Sequence, residues 1–380
     1  MRYTAGEPRG VATSTYAIWI AAAFGMTALW ALVVVVNKKI LESVTPVAVN
    51  FFVRLGAIAG LLLITVPLTA LGLWSNGFGI NAEAAGWIAL AAVATWLVAF
   101  NAYYYALRGE RVAVVAPICS TDPLWTALFS WLIVGAAFGG ATLAGMAVAM
   151  AGVVLISRWM GGGGEAKAGA LAGAGALAAA AHGDVLPDAG APPARSDAAG
   201  ASSARTSAPI SLPTSAQSHP ETAPQFAATA TKARLIGLAL LTAAGWGLGP
   251  VLIDEAATSY GRATATMMLL SQALGALMLG GVLLLRRTPL TAHPLTPAQR
   301  RQAIWLIVLT GLLEASVSVL FYLSIVAIGP LLTMLIMATT PVFSIVLGVV
   351  FLRERPGLRL TLAAGITVAG VLIATLDGLT

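Results

Sequence analysis

The sequence predicts an all-α integral membrane protein with ten transmembrane helices in two inverted five-helix repeats. Three observations predict this fold class: a very apolar composition, ten apolar runs of bilayer length, and a repeat that relates the two halves of the chain. Hydrophobic residues make up 58% of the 380 residues and charged residues only 9%, whereas a soluble protein has roughly 25% charged residues. Such a chain cannot cover a water-facing surface, so we expect a lipid bilayer around most of it.

Each apolar run is long enough to cross a bilayer, which takes about 20 residues. The runs are apolar on all sides, as helices in lipid are. The first is too long for the apolar core of a signal peptide, about 7–15 residues, so we expect it to be retained. The predicted spans lie near residues 16–36, 45–69, 85–107, 112–134, 141–158, 234–254, 262–285, 302–327, 330–352 and 358–376.

A segment of different composition separates the first five spans from the last five. Residues 159–231 are rich in Ala, Gly, Pro and Ser, with scattered charges of both signs, which is typical of a flexible linker. The sequence therefore divides into a first five-helix repeat at 16–158, this linker, and a second five-helix repeat at 232–376.

The basic residues are distributed unevenly between the two sides of the membrane. The net charge is +6, but the basic residues lie in short loops, so we expect no nucleic-acid partner. Loops after even-numbered spans and the tails carry only Arg2, Arg9 and Arg262. Leaving out Arg195 and Arg205 deep in the linker, loops after odd-numbered spans carry fifteen: Lys38, Lys39, Arg108, Arg111, Arg158, Lys167, Lys232, Arg234, Arg286, Arg287, Arg300, Arg301, Arg353, Arg355 and Arg359. The positive-inside rule then predicts an inner-membrane protein with a cytoplasmic linker and extracytoplasmic termini.

The two halves align with each other at an offset of 218 residues. This offset places Tyr104 on Tyr322 and Pro123 on Pro341. At a slightly different offset, Trp30 matches Trp246. Because each repeat has an odd number of spans, the second copy enters the membrane from the opposite side. Inverted repeats of this kind build many secondary transporters, whose substrate sites lie near the midplane between the repeats.

Two segments resemble the EamA-type permeases of the drug/metabolite transporter superfamily. They are "YYYALRGERVAVVAPICSTDPLWTALFSWLIV" (103–134) and "FYLSIVAIGPLLTMLIMATTPVFSIVLGVVFLRERPGL" (321–358). Glu354 matches the acidic loop of that family's repeat, which the first half lacks. The resemblance implies transport of a small metabolite or drug, often export, without fixing the substrate. Familiar bacterial members keep both termini in the cytoplasm, the reverse of what the charge distribution predicts here.

Three charged residues lie near the middle of predicted spans: Arg54, Asp122 and Glu314. A carboxylate at the centre of a span costs about 2.5–3.5 kcal/mol, and such groups are functional candidates by default. Asp122 is a candidate for contact with a substrate amine or for a proton site, and Glu314 for proton coupling. Arg54 either clamps an anionic substrate or pairs with one of the acids. If the three cluster, one acid has no basic partner and can exchange protons. The alternative for Asp122 is a structural pair with Arg54 or polar neighbours.

Prolines and aromatic residues complete the candidate site. Pro123 and Pro341 lie in the middle of their spans and predict matched helix kinks. Trp30 and Trp246 recur at matching places and can stack on a solute. The full set of predicted substrate-binding residues is Trp30, Asn50, Arg54, Asn101, Tyr104, Asp122, Trp246 and Tyr322.

Other chemistries lack support in the sequence. The three histidines lie in the linker or loops, so no span offers a metal cluster, and no phosphate-binding loop of an ATPase is present. We therefore expect no cofactor, no metal and no enzymatic activity, and a small-molecule substrate in a lipid bilayer. Two alternatives remain open, an intramembrane enzyme that uses Asp122 and Glu314 and a multidrug efflux protein. The oligomeric state is left open.

Overall fold

The computed structural model describes residues 4–5, 13–72, 78–109, 115, 118–161, 222–343, 345–346 and 357–376. Most of the predicted linker, parts of the predicted fourth and ninth spans, and Glu354 lie outside this part. Two short strands, Thr4–Ala5 and Ala137–Phe138, pair in parallel. The strands are β1 Thr4–Ala5 and β2 Ala137–Phe138; the α-helices are α1 Thr13–Ile40, α2 Pro46–Ala70, α3 Ala82–Ala92, α4 Phe100–Gly109, α5 Asp122–Phe129, α6 Gly140–Gly161, α7 Thr222–Tyr260, α8 Ala265–Leu285, α9 Pro297–Ile328, α10 Pro330–Met337 and α11 Leu358–Ala374, with π-helical Val93–Ala99 joining α3 to α4 and Ser130–Val134 extending α5.

In the described part of the chain, six helices are apolar and long enough to cross a membrane, which confirms a multi-pass helical protein. They cover Tyr16–Ile40, Pro46–Ala70, Ala82–Arg108, Arg234–Tyr260, Ala265–Leu285 and Pro297–Ile328. The other four predicted spans correspond to shorter apolar helices over Asp122–Val134, Gly140–Ile156, Pro330–Phe343 and Thr361–Ala374 within the described residues. The total of ten spans therefore stays a prediction.

Local sequence signals explain where the long helices begin. Helix α9 starts with a capping box. The Thr296 hydroxyl accepts a hydrogen bond from the backbone N–H of Gln299, and the side-chain oxygen of Gln299 accepts one from the backbone N–H of Thr296. This satisfies two amides that the first helical turn leaves without partners. Gly329, with φ of 83°, ends α9, and Pro330 starts α10 directly after it. Glycine adopts this positive φ without steric cost.

At one end of the bundle, the loop between α1 and α2 meets the loop between α8 and α9. The Thr45 amide donates to the Leu290 carbonyl at 3.1 Å. The Thr45 hydroxyl donates to the Pro289 carbonyl at 2.8 Å. These loops follow the first and seventh predicted spans, so they lie on the same side, as the alternation of spans requires.

At the other end, the loop after α2 meets the loop between α7 and α8. Asn81 donates to the Ser259 carbonyl at 3.0 Å, and the Thr264 hydroxyl donates to the Gly79 carbonyl at 2.7 Å. Helix α2 separates the two ends by 25 residues, about 37 Å at the helical rise of 1.5 Å per residue. Each end thus joins one loop of each repeat, and the two ends are related as an inverted repeat requires.

The last helices of the two repeats, α6 and α11, pack together through small residues. A side chain on Gly152 would collide with the backbone of Thr367, and one on Gly370 with the backbone of Ala149. These two contacts are copies of each other at the 218-residue offset. Small residues allow helix backbones to approach closely in membranes, so this interface follows the twofold relation between the repeats.

Candidate functional site

Both repeats contain a helix that is interrupted near its middle. A turn at Ser120–Thr121 precedes α5, and the Thr121 hydroxyl donates to the Ile118 carbonyl at 2.7 Å. In the second repeat, a turn at Ala338–Thr339 follows α10, and the Thr339 hydroxyl donates to the Ile336 carbonyl at 2.6 Å. The two bonds join residues that are equivalent at the 218-residue offset, so the same turn is built twice.

Pro123 and Pro341 follow these turns by two residues. Pro123 stands in the first turn of α5, where a proline needs no amide partner. The sequence predicted a kink within a continuous helix. In the structure, a turn separates two helical segments, and each proline is the second residue of the second segment.

A cavity of about 140 Å³ lies between the repeats, bounded by both interrupted helices. This volume is large enough for several water molecules or a small solute. Apolar and aromatic side chains form most of its wall. Six of the residues singled out from the sequence line it: Trp30, Asp122, Trp246, Glu314, Tyr322 and Pro341.

The other predicted site residues are not among the residues that line this cavity. Asn50 donates to the Trp96 carbonyl at 2.8 Å, and Asn101 donates to the Leu97 carbonyl at 2.8 Å. The hydroxyl group of Tyr104 accepts from the Asn37 side chain, at 3.2 Å. These side chains bond to other residues of the chain, and like Arg54 and Pro123 they are not part of the cavity lining.

Arg54 and Glu314 form a buried ion pair next to the cavity. Arg54 Nη2 lies 2.9 Å from Glu314 Oε1, and the two side chains are 0% and 2% exposed. Arg54 Nη1 donates to Gln272 Oε1 at 2.8 Å, and Gln272 Nε2 donates to the Ser318 hydroxyl at 3.1 Å. Of the pairings that the sequence left open for Arg54, the structure has the one with Glu314. A buried charge needs a partner of this kind.

Trp96, which sequence reasoning missed, covers the same guanidinium. The Arg54 Cζ atom lies 4.0 Å from the centre of the Trp96 ring, within the range of a cation–π interaction. The indole Nε1 donates to the Ser271 hydroxyl at 2.8 Å. A signal for Trp96 was present in the sequence, because it is equivalent to Glu314 at the 218-residue offset.

The cluster around Arg54 consists of repeat pairs. Arg54 bonds to Gln272, its own equivalent, since the two are 218 residues apart. Trp96 and Glu314, which are equivalent to each other, both contact Arg54. Two equivalent positions can touch only near the axis that relates the repeats, so this cluster lies on that axis.

Of the two acids that line the cavity, Asp122 has no basic partner among the described residues, whereas Glu314 is paired with Arg54. It is 6% exposed and lines the cavity, and its Oδ1 atom is buried without a hydrogen bond among the described residues. It begins α5, where the helix dipole favours a negative group. Its equivalent, Thr340, also lines the cavity. The cavity therefore has a carboxylate on one side and a hydroxyl on the other.

Aromatic rings form a continuous wall of the cavity. The ring centroids of Trp30 and Trp246 lie 5.9 Å apart at 82°, and Tyr103 lies 4.9 Å from Trp246. Phe100 lies 5.2 Å from Trp246 and 5.8 Å from Trp30. Trp246 Nε1 and the Tyr322 hydroxyl are buried without a hydrogen bond within the described residues. These two groups can donate hydrogen bonds to a bound solute.

Two helical repeats with a cavity between them define a membrane protein of the inverted-repeat type. The model of the EamA-like transporter family matches residues 17–158 and 233–376. The chain therefore belongs to the EamA-like transporter family, as the resemblance of the two segments predicted. It is a membrane protein of a family that transports small molecules.

A solved structure titled only "Crystal structure of protein" has the same fold. It is 16% identical to this chain, and the match covers 94% of this chain and 98% of the other, with a TM-score of 0.59. At this identity, the likeness concerns the fold alone. No curated protein matches the sequence.

Proposed function

We propose that the protein is a secondary transporter that exports a small metabolite, such as an amino acid, by alternating access. The observation that carries this proposal is the cavity between the repeats, which holds a buried carboxylate with an unused oxygen. Inverted repeats that rock around a midplane site expose it to the two sides in turn. Family membership supports transport of a small molecule.

Within this proposal, the residues have two kinds of role. Asp122, Trp30, Trp246 and Tyr322 line the cavity and contact the solute. Asn50, Arg54, Asn101 and Tyr104, also predicted as contacts, lie beside the cavity and hold its wall through the bonds described above.

Asp122 is the proposed proton-coupling group. Arg54 is the only basic residue near the middle of a predicted span, and it is paired with Glu314. Asp122 therefore has no counter-charge among the described lining residues and can exchange a proton for a solute. Glu314 can take part in coupling only in a state in which its ion pair opens. Both acids are thereby retained as candidates, with Asp122 first.

We also propose that the linker faces the cytoplasm and that both termini face away from it. This orientation puts the loops with fifteen basic residues inside the cell. An enzymatic reporter that works only outside the cytoplasm should be active when it is fused after Thr380.

The proposed function is tested in proteoliposomes that contain the full-length protein. Radiolabelled amino acids, amines, nucleobases and sugars are screened for uptake, with and without a pH gradient. At least one solute should enter faster than in empty liposomes and emerge chemically unchanged, and a pH gradient should change its rate. Chemically altered product would instead indicate an enzyme.

Acid-to-amide variants refine this test. Asp122→Asn should reduce flux to near background. Glu42→Gln makes the same chemical change at a surface carboxylate, whose side chain is 59% exposed, and should leave flux unchanged. Wild-type flux from Asp122→Asn would overturn the assigned role of this residue, and background flux for every solute would overturn the transporter proposal.

A further inference from the structure

We infer that the substrate is a small organic cation, an amine on an apolar, preferably aromatic body, with its ammonium group on Asp122 and its body on the aromatic wall. This inference rests on the proposed function, keeps its small-metabolite class, and replaces the amino-acid example with an amine. Three features of the cavity support it: its charge, its wall, and the absence of a free cation among the described residues that line it.

The charge of the cavity is the first feature. Among its described lining residues, the acids are Asp122 and Glu314, and no Lys, Arg or His is present. Arg54 neutralises Glu314 at 2.9 Å, so Asp122 leaves one negative charge without a counter-ion. A buried charge is costly unless it is paired. A monocation supplies the missing partner, and a proton replaces it when the cavity is empty.

The wall is the second feature. Trp30, Phe100, Tyr103 and Trp246 contact one another along the lining, at centroid distances between 4.9 and 6.4 Å. Aromatic faces attract cations and pack well against other rings. The wall therefore accepts both parts of an aryl-alkyl amine, its ammonium group and its apolar body.

The third feature selects against carboxylates in the substrate. The guanidinium of Arg54 is already committed to Glu314 and Gln272 and is covered by Trp96. The carboxylate of an amino acid would meet neutral donors such as the Trp246 indole and the Tyr322 hydroxyl. Neutral donors compensate a desolvated carboxylate less well than a charged partner does. We therefore expect an amine to bind more tightly than its amino acid, and a simple acid least tightly.

Three probes with the same ring test this order: 2-phenylethylamine, phenylalanine and 3-phenylpropionate. Their binding to the full-length protein in lipid nanodiscs is measured by tryptophan fluorescence, since three tryptophans line the cavity. The amine should bind about tenfold more tightly than phenylalanine, and phenylpropionate more weakly still. Equal or tighter binding of phenylalanine or phenylpropionate would overturn the inference, as would no binding of the amine.

Variants locate the contact. Asp122→Asn should weaken amine binding about tenfold or more, and Glu42→Gln should leave it unchanged. An Asp122→Asn variant with wild-type affinity overturns the assignment. The wild-type ranking of the three probes decides the substrate class even if the variant does not fold.

Binding and flux separate this inference from the proposed function. If other solutes cross proteoliposomes in a protein-dependent way but the amine does not bind, the substrate class is wrong and the transporter assignment stands. If the amine binds but no solute crosses, the cation site stands and the transporter assignment fails.

Discussion

The two interrupted helices share the same turn but differ in chemistry. In each, a threonine hydroxyl bonds back by three residues, at 2.7 Å for Thr121 and 2.6 Å for Thr339. The next position then differs, Asp122 in the first repeat and Thr340 in the second. Because the turns match in detail, the repeat supplies the architecture. The carboxylate is an addition to one side only.

The cluster on the axis has the same character. Arg54 faces Gln272, and Trp96 is the equivalent of Glu314. Every charged residue in this region thus has a neutral equivalent in the other repeat. The scaffold is therefore symmetric and the charges are not, which leaves the cavity with one carboxylate that has no counter-charge among the described lining residues, Asp122, beside the paired Glu314.

Removing the charge on the axis should have the largest effect. Arg54→Ala leaves Glu314 buried without a counter-charge and should destabilise the protein by about 3–5 kcal/mol. The free energy of unfolding can be measured by titration with sodium dodecyl sulfate.

A double variant provides the control for this prediction. Arg54→Gln with Glu314→Gln removes both charges and should recover much of the lost stability, because no unpaired ion is left. A double variant as unstable as Arg54→Ala would show that the pair matters through its shape and not through its charge balance.

The glycine interface tests the symmetric part of the comparison, with a smaller effect. Gly152→Ala and Gly370→Ala each push a methyl group into the backbone of the facing helix. Each should destabilise the protein by about 1–3 kcal/mol, the usual cost of overpacking. Gly365→Ala, on the same helix as Gly370 with nothing within 4 Å of the added carbon, is the matched control and should be close to neutral. Unequal losses at 152 and 370 would contradict the symmetry.

Moving the carboxylate from position 122 to position 340 tests whether the charge can act from either side of the cavity. Asp122→Asn should weaken amine binding about tenfold, which corresponds to about 1.4 kcal/mol. Adding Thr340→Asp to that variant should restore most of the affinity, because both positions line the same cavity. The measurement is amine binding in nanodiscs. A double variant no better than Asp122→Asn would mean that the two sides present their side chains differently.

The architecture was predictable because it follows from quantities that a sequence displays directly. Apolar runs and an offset of 218 residues indicated membrane helices in two repeats, and family membership agrees. Which acid pairs with Arg54 was not predictable, since Asp122 and Glu314 both lie near the middle of their predicted spans and the choice depends on how the helices are rotated against each other. The same rotation turns Asn50 and Asn101 away from the cavity, toward backbone carbonyls.

Trp96 could be recognised as a site residue only through the repeat relation between the two halves. The residues around Trp96 and its position in the span resemble those of any tryptophan in a membrane helix. Only its equivalence to Glu314 distinguishes it, and that equivalence becomes informative once Arg54 is known to lie on the axis.

The contact between Arg54 and Gln272 has a consequence for how such a chain arose. The two positions are equivalent and lie within hydrogen-bonding distance. In an assembly of two identical five-helix subunits, an arginine there would face a second arginine, and two like charges at that distance in an apolar interior repel strongly. A single arginine is compatible with this position only when the two halves have different sequences. The arginine therefore arose after the duplication, when the two copies were joined in one chain and could diverge in sequence.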